Sequence, residues 1–278
     1  MRIQRLIKPF VVLAMVWTFL AFGLVLAYGQ DTKEPKCTGK YKGGEIPTKE
    51  DHAKILQAHE EWVDSRGAKG KKADLCEANL RGANLEKAFL NGANLQEANL
   101  EGANLQQADL RGAHLEEASL FQANLQQADL RGANLQKAVL DWAHLEKADL
   151  RGANLQQADL RGAHLQEADL FQANLQQAFL RGANLQKAVL NGAHLQEADL
   201  FQANLQQAYL RGANLQKAVL AGANLTDVKN LTQAQLNQAC VDENTKLPKG
   251  LTRPKPCSEE ELGPKRTLGL SSTFLWCE

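Results

Sequence analysis

Residues 151–170 read RGANLQQADLRGAHLQEADL, and within them Ala and Leu each recur in every unit of five. The phrase Ala-x-Leu-x-x continues without a break over residues 73–227, which is 31 consecutive units. On an α-helix, five residues advance about 500°, so successive leucines would scatter around the axis. On a flat strand, an odd period would send successive leucines to opposite faces. The pattern therefore predicts short extended pieces that turn after every unit.

Such turns predict a solenoid in which each coil covers the next one. Ala and Leu point inward, and the last two residues of each unit form a corner. Gly82, Gly112 and Gly152 stand at the last corner position, where a tight turn favours glycine. The predicted core contains all the repeated alanines and leucines, represented by Ala108, Ala128, Ala148, Ala168, Leu110, Leu130, Leu150 and Leu170.

The Ala-(Asp/Asn)-Leu-x-x phrase resembles the pentapeptide-repeat proteins, and the resemblance covers more than half of the chain. It implies an all-β solenoid, a right-handed quadrilateral β-helix with four units per coil and short α-helical caps at both ends. With a strand spacing of about 4.8 Å, residues 73–227 would form a rod of roughly 37 Å.

The N-terminus has the composition of a targeting segment. Basic residues precede an apolar run at residues 10–26, and Ala27 and Gly29 are small residues at the expected cleavage positions. This predicts that residues 1–29 are a secretory signal peptide cleaved after Gly29. A retained membrane anchor is the alternative, because the run is near the lower length limit for a spanning helix. Either form exports the remaining chain.

The repeats are flanked by candidate caps. Residues 30–72 are predicted to be a linker and a capping helix, in which Thr48 and Asp51 form a capping-box-like start. The helix resembles the one that precedes the repeats in some exported family members, including its His59 and Trp62. Residues 228–257 are predicted to form a C-terminal cap, and residues 258–278 a mobile tail.

Five cysteines fit an oxidising compartment. Cys240 and Cys257 are expected to form a disulfide. Cys37 and Cys76 can pair in the same way at the other end, but the sequence leaves the pairing of Cys37, Cys76 and Cys277 open. No two cysteines form a CxxC motif, which argues against zinc-binding or thioredoxin-like roles.

The outward residues form columns when the chain is stacked at four units per coil. Four aspartates lie beside three arginines, which predicts a solvated charge network; they are Asp109, Asp129, Asp149, Asp169, Arg111, Arg131 and Arg151. Over the whole chain, 32 basic residues balance 32 acidic ones. The balance argues against binding to nucleic acid or to an anionic membrane.

Histidines raise the question of a metal site. His144 and His164 lie one coil apart and are expected to stack, but their column neighbours Asn124 and Asn184 provide no third ligand. The sequence therefore predicts that there is no metal site. The stretch HEEWV lacks the second histidine of a zinc-protease motif, because Val63 stands there. With no catalytic constellation, neither an enzyme nor a cofactor is expected.

Four aromatic side chains are predicted to face outward as candidate contact residues: Phe121, Trp142, Phe171 and Phe201. The segment that begins at Phe121 returns at Phe171 and again at Phe201. The first shift is two and a half coils and the second is one and a half, so each places the next copy on the opposite side. This favours selection for length and a sound core over one binding face.

The sequence thus predicts a non-enzymatic, exported structural or protein-interaction rod of the cell envelope. Its partner would be an unidentified protein or a sister rod meeting it end to end, with membrane contact only if residues 10–26 are retained as the anchor of a spacer. The family resemblance implies an alternative, since some members mimic DNA and bind gyrase. Residues 73–227 carry 18 acidic and 12 basic residues, a mild charge for such mimicry.

Overall fold

The computed structural model describes residues 37, 40–41 and 43–254 of the 278-residue chain. The chain divides into two compact units, Met1–Lys36 and Cys37–Glu278, and the described residues belong to the second. The predicted signal peptide or anchor and the predicted tail at residues 258–278 both lie outside the described residues.

The repeats stack as a parallel β-solenoid. From Asp74 to Tyr209, the residue between Ala and Leu in each unit pairs with the residue 20 positions later, as Asn134 does with Asn154. Two backbone hydrogen bonds make this bridge. The Leu135 amide donates to the Asn154 carbonyl (2.7 Å), and the Asn154 amide donates to the Ala133 carbonyl (2.9 Å). The predicted β-helix is thereby confirmed, while its right-handed winding stays an expectation from the family resemblance.

A bridge to every fourth unit gives the solenoid four faces. Face 1 holds one residue per coil from Asp74 to Asn214, face 2 from Asn79 to Val219, face 3 from Asn84 to Asn224, and face 4 from Phe89 to Lys229. Outward side chains one coil apart on the same face are therefore neighbours across a strand spacing of about 4.8 Å.

Each corner is a four-residue turn. In the unit that starts at Ala133, the Ala138 amide donates to the Leu135 carbonyl (3.0 Å), and Lys137 has a φ of 58°. A positive φ at the second central residue is the requirement of a type II turn. The last residue of every unit has this conformation, and many of these residues are Gln, Glu or Lys. The turn is therefore set by the repeat and is not limited to the units that carry glycine.

The repeated alanines and leucines fill the interior. All eight residues named above as representatives of the predicted core are at most 1% exposed. Burying a leucine side chain contributes roughly 1.5–3 kcal/mol relative to exposure. Because each leucine has another leucine in the same slot of the next coil, the core is one continuous column of apolar side chains.

Helix α1, Lys49–Asp64, packs on the first coil. Thr48 caps it, with Asp51 forming the second half of a capping box. Ile55 and Leu56 pack against the core. His59 is fully buried: its Nδ1 accepts the Ala73 amide (3.0 Å), and its Nε2 lies 3.1 Å from the Asn91 carbonyl.

Helix α2, Gln233–Leu236, follows the repeats and begins with the capping box of Thr232 and Gln235. Gln235 Nε2 donates to two carbonyl oxygens of the preceding coil, those of Leu210 (2.8 Å) and Ala213 (2.9 Å). Beyond the helix, Cys240 and Lys246 continue the ladders of Val219 and Asn224. These contacts supply partners for backbone groups that an open end would leave unpaired.

Candidate interaction surfaces

Asparagine ladders stabilise the turns of faces 1 and 3. Asn154 Oδ1 accepts the Gln156 amide (3.2 Å), two residues further on. Its Nδ2 donates to Asn134 Oδ1 in the preceding coil (2.9 Å), and Asn104 and Asn84 are joined in the same way on face 3 (3.2 Å). The amide therefore serves both its own corner and the neighbouring coil, which is a structural role.

Face 4 carries the predicted ladder of aspartates and arginines. Arg111 binds Asp109 with two hydrogen bonds, Nε to Oδ1 (2.8 Å) and Nη2 to Oδ2 (2.5 Å). Its Nε also lies 3.6 Å from Asp129 Oδ2 in the next coil. Arg131 and Arg151 repeat this geometry, so each of these guanidiniums bridges two carboxylates.

This pairing favours the charged forms. The pKa of Arg111 lies above its usual value because Asp109 accepts its hydrogen bonds and carries the opposite charge. At Asp129, burial acts to raise the pKa, but hydrogen bonds and charge from Arg131 outweigh it, and the pKa lies below its usual value. Face 4 is thus electrically self-compensated, and each exposed pair contributes only about 0–1 kcal/mol.

Face 2 holds a second charge cluster that the sequence analysis missed. Arg161 binds Asp159 of its own coil through Nε (2.7 Å) and Nη2 (2.5 Å), and its Nε lies 3.1 Å from Asp141 of the preceding coil. Burial, and then the nearby charge of Asp159, raise the pKa of Asp141 above its usual value. The sequence could have predicted this ion pair, because Asp141 and Arg161 are separated by one coil of 20 residues.

The four candidate aromatic contacts occupy two opposite sides. Phe121, Trp142 and Phe201 follow face 2, and Phe171 follows face 4. Trp142 and Phe171 are 55% and 43% exposed, whereas Phe121 and Phe201 are half-buried. The Trp142 ring lies over the next corner of the same edge, so close that a Cβ on Gly162 would stand 2.7 Å from its Cε3.

Further apolar residues are exposed in slots that usually hold Asn or Asp. Each departs from the repeat in the sequence, although none was among the predicted contacts. They are Val139 and Phe179 on face 2 and Phe89 and Tyr209 on face 4. Face 2 and its following corner place two exposed apolar side chains, Val139 and Trp142, within one unit.

The histidine pair of face 3 differs from its prediction in one respect. His144 and His164 do stack, with ring centroids 4.8 Å apart. The prediction that no third ligand lies near them is wrong, because Glu146 places Oε1 3.3 Å from His144 Nδ1. Glu146 stands two residues after His144, and the corner turns its side chain back along face 3. Column neighbours alone do not reveal such a contact.

Disulfides occur in both halves of the described chain. Cys37 and Cys76 are bonded, with 5.5 Å between their Cα atoms, which ties the segment before α1 to the first coil. Cys240 is also disulfide-bonded. Cys257 lies outside the described residues, so its pairing with Cys240 stays a prediction, as does the state of Cys277.

The fold and surfaces define a β-solenoid repeat protein whose faces carry mainly polar, mutually paired side chains and a few exposed apolar ones. Within residues 37, 40–41 and 43–254, no helix is both long and apolar enough to cross a membrane. The family model for pentapeptide repeats matches the chain in eight copies, over residues 66–96, 98–136, 138–177, 168–207 and 203–241. The chain therefore belongs to the pentapeptide-repeat family.

Solved structures of family members resemble the chain. HetL, a pentapeptide-repeat protein involved in heterocyst differentiation regulation in the cyanobacterium Nostoc sp. strain PCC 7120, is 34% identical, with 66% of this chain and 81% of HetL covered and a TM-score of 0.45. A pentapeptide-repeat protein of the Arabidopsis thaliana thylakoid lumen is 29% identical, with 56% and 72% covered and a TM-score of 0.16.

Trypsin-treated QnrB1, a plasmid-mediated fluoroquinolone resistance protein, is 19% identical, with 62% of this chain and 81% of QnrB1 covered and a TM-score of 0.30. A search of the curated proteins gave no significant match. The repeat itself therefore carries the family assignment.

Proposed function

We propose that this chain is a non-enzymatic, exported rod that acts as a structural or protein-interaction element of the cell envelope. In this proposal α1 and the segment around α2 are end caps that keep the solenoid a finite rod. The observation that carries the proposal is the unbroken Ala/Leu core over residues 73–227. Such a core favours a rigid body of fixed length.

The side chains on the surface support a role without catalysis. The carboxylates and guanidiniums of face 4 bind one another, and the amides of faces 1 and 3 bind backbone and neighbouring amides. Polar groups used in this way hold the scaffold together and are not poised for proton transfer or nucleophilic attack. The same pairing disfavours mimicry of a uniformly anionic duplex.

Two features support export. Residues 1–29 have the composition of a signal peptide. The Cys37–Cys76 disulfide suits the oxidising conditions outside the cytoplasm. A partner protein is expected on face 2 beside Trp142, because exposed aromatic side chains are enriched at protein interfaces. End-to-end self-association of the mature rod is the alternative to such a partner.

Cell fractionation with N-terminal sequencing of the mature protein tests this proposal. We expect a soluble envelope species that begins at Gln30. Its electrophoretic mobility without reductant should differ from its mobility after the disulfides are reduced. A photo-crosslinker at position 142 should then capture an envelope protein, whereas one at Lys187, on the corner after face 3, should not.

Other fractionation results have distinct meanings. A membrane-bound species that begins at Met1 would make the protein an anchored spacer. A full-length soluble protein in the cytoplasm would overturn export and revive the gyrase-binding alternative, which a supercoiling assay with the purified rod would then decide.

A further inference from the structure

Two imidazoles on face 3 are held together by the register of the solenoid. His144 and His164 form one parallel bridge of the backbone ladder. Their rings stack with centroids 4.8 Å apart and planes inclined by 17°. Because the backbone of each coil fixes where its side chains emerge, the two rings meet without any loop having to order first.

Glu146 completes a set of three ligands. Its Oε1 lies 3.3 Å from His144 Nδ1, and one ligand atom from each of His144, Glu146 and His164 lies within 4.8 Å of the others. Bonds to zinc from imidazole and carboxylate are about 2.0–2.2 Å long, so the three atoms must move somewhat closer together. The His144 side chain is 45% exposed, so an ion can reach its ring from solvent.

Unsatisfied oxygens lie beside this set. Glu146 Oε2 and Gln166 Oε1 are both buried, and neither has a hydrogen-bond partner among the described residues. Gln166 occupies the position of Glu146 one coil further on. Leaving a buried acceptor unpaired is costly, and a bound cation would supply the missing partner for the carboxylate.

We propose that His144, Glu146 and His164 form a binding site for a divalent transition metal ion, with Zn²⁺ as the best match. Two imidazoles with one carboxylate are a known zinc ligand set, whereas Mg²⁺ and Ca²⁺ require oxygen ligands. Cu²⁺ and Ni²⁺ suit imidazole as well. A metal here would clamp two successive coils together and leave a coordination position open to solvent or to a partner's side chain.

The chain contains its own control. His114 and Glu116 on face 1 repeat the same spacing, with Nδ1 and Oε1 3.4 Å apart. The neighbours of His114 on that face are Asn94 and Asn134, so only one imidazole is present. Glu116 also has a buried Oε2 without a partner among the described residues. The comparison isolates the second histidine as the feature that makes a site.

Isothermal titration calorimetry with ZnCl₂ tests the proposal by measuring zinc affinity and stoichiometry. The protein is the chain as it accumulates in cells, purified with its disulfides intact. Free thiols are alkylated before titration in every protein compared, because a thiol also binds zinc. We expect one Zn²⁺ per chain in the parent, at least tenfold weaker binding in His164→Asn, and a change of less than twofold in His114→Asn. Asn fills the slot of His164 in the adjacent coil, so the variant should fold.

Glu146→Gln provides a second variant that keeps the side-chain shape and weakens the ligand. It should reduce zinc affinity, and zinc should raise the Tm of the parent but not that of His164→Asn. The proposal is overturned if the parent binds no Zn²⁺, if Mg²⁺ displaces Zn²⁺ at equal concentration, or if His114→Asn loses as much affinity as His164→Asn.

Discussion

The backbone conformation of a single residue at each corner determines whether the chain can turn after five residues. Lys137 and Gly112 hold nearly the same conformation, with φ of 58° and 61°. For a non-glycine residue the left-handed conformation costs about 1–2 kcal/mol. The Lys137 amide donates to the Gln156 carbonyl of the next coil (2.9 Å), and such bonds help to offset that cost. Side-chain identity at a corner is therefore secondary to its place in the ladder.

Gly70 is a different kind of glycine. A Cβ at this position would lie against the Ala58 carbonyl and 2.6 Å from the Trp62 amide nitrogen, both in helix α1. We predict that Gly70→Ala lowers the free energy of unfolding by about 1–2 kcal/mol through its positive φ, and by roughly a further 1–3 kcal/mol through overpacking. Urea unfolding followed by circular dichroism measures the loss.

Gly112→Ala is the matched control, because φ is also positive there and nothing lies within 4 Å of the added Cβ. It should lose only the conformational part, about 1–2 kcal/mol. Equal losses in the two variants would contradict the close contact between Gly70 and α1.

The sequence predicts inward residues well and contacts between outward side chains poorly. Burial of Leu130 or Ala128 follows from the period alone, since no other arrangement shelters every Ala and Leu. The aspartate and arginine ladder follows too, once four units per coil are assumed. Glu146 escaped prediction because its carboxylate reaches His144 by a choice of rotamer at a corner, which column position does not specify.

At the scale of elements, helix α1 is attached to the first coil through a buried histidine. His59 receives a hydrogen bond from Ala73 at Nδ1, so its Nε2 carries the proton that it donates to the Asn91 carbonyl. The ring also stacks on Trp62, with centroids 5.5 Å apart. The sequence predicted the helix from its capping box and from the family resemblance. The hydrogen-bond roles of the two His59 nitrogens depend on contacts with the first coil, which the sequence does not specify.

This attachment should depend on pH. Burial lowers the pKa of His59 below its usual value of 6.5. Between the two values the unfolded chain binds more protons than the native chain, so stability rises with pH and falls on acidification. We predict that lowering the pH from 7.5 to 5 costs at most about 2 kcal/mol through this residue, the limit for a histidine that stays neutral when folded.

His59→Gln supplies the comparison, because a glutamine amide can accept the bond from Ala73 and donate one to Asn91 without titrating. Urea unfolding gives the change in unfolding free energy between pH 7.5 and 5 for each protein. The contributions of the carboxylates and the other histidines cancel when the two changes are compared. Wild type should lose more stability than His59→Gln. An identical loss in the two proteins would show that His59 does not sense this change in pH.

At the scale of the whole molecule, each coil contacts only the coils beside it, so the stability of a solenoid is close to a sum of repeats and interfaces. Every interior coil of this protein has the same Ala and Leu positions, and the ladder bonds recur from each coil to the next. Removal of one complete coil therefore brings matching surfaces together. Residues 131–150 form such a coil, ending at Leu150 as the preceding one ends at Leu130.

We predict that deletion of residues 131–150 leaves a folded, cooperative rod whose urea m-value falls by about one-tenth, in proportion to the share of residues 43–254 that is removed. Arg151 then follows Leu130 in the place of Arg131, so the ladder of face 4 continues.

Deletion of residues 131–149 is the matched control, because it places Leu150 directly after Leu130 and makes one unit a residue too long. The extra leucine must either bulge into solvent or shift the following Ala and Leu out of register, so this variant should be the less stable one. Circular dichroism and urea unfolding distinguish the two. If both deletions unfold the chain equally, its coils are not interchangeable and its length is set by something other than the repeat.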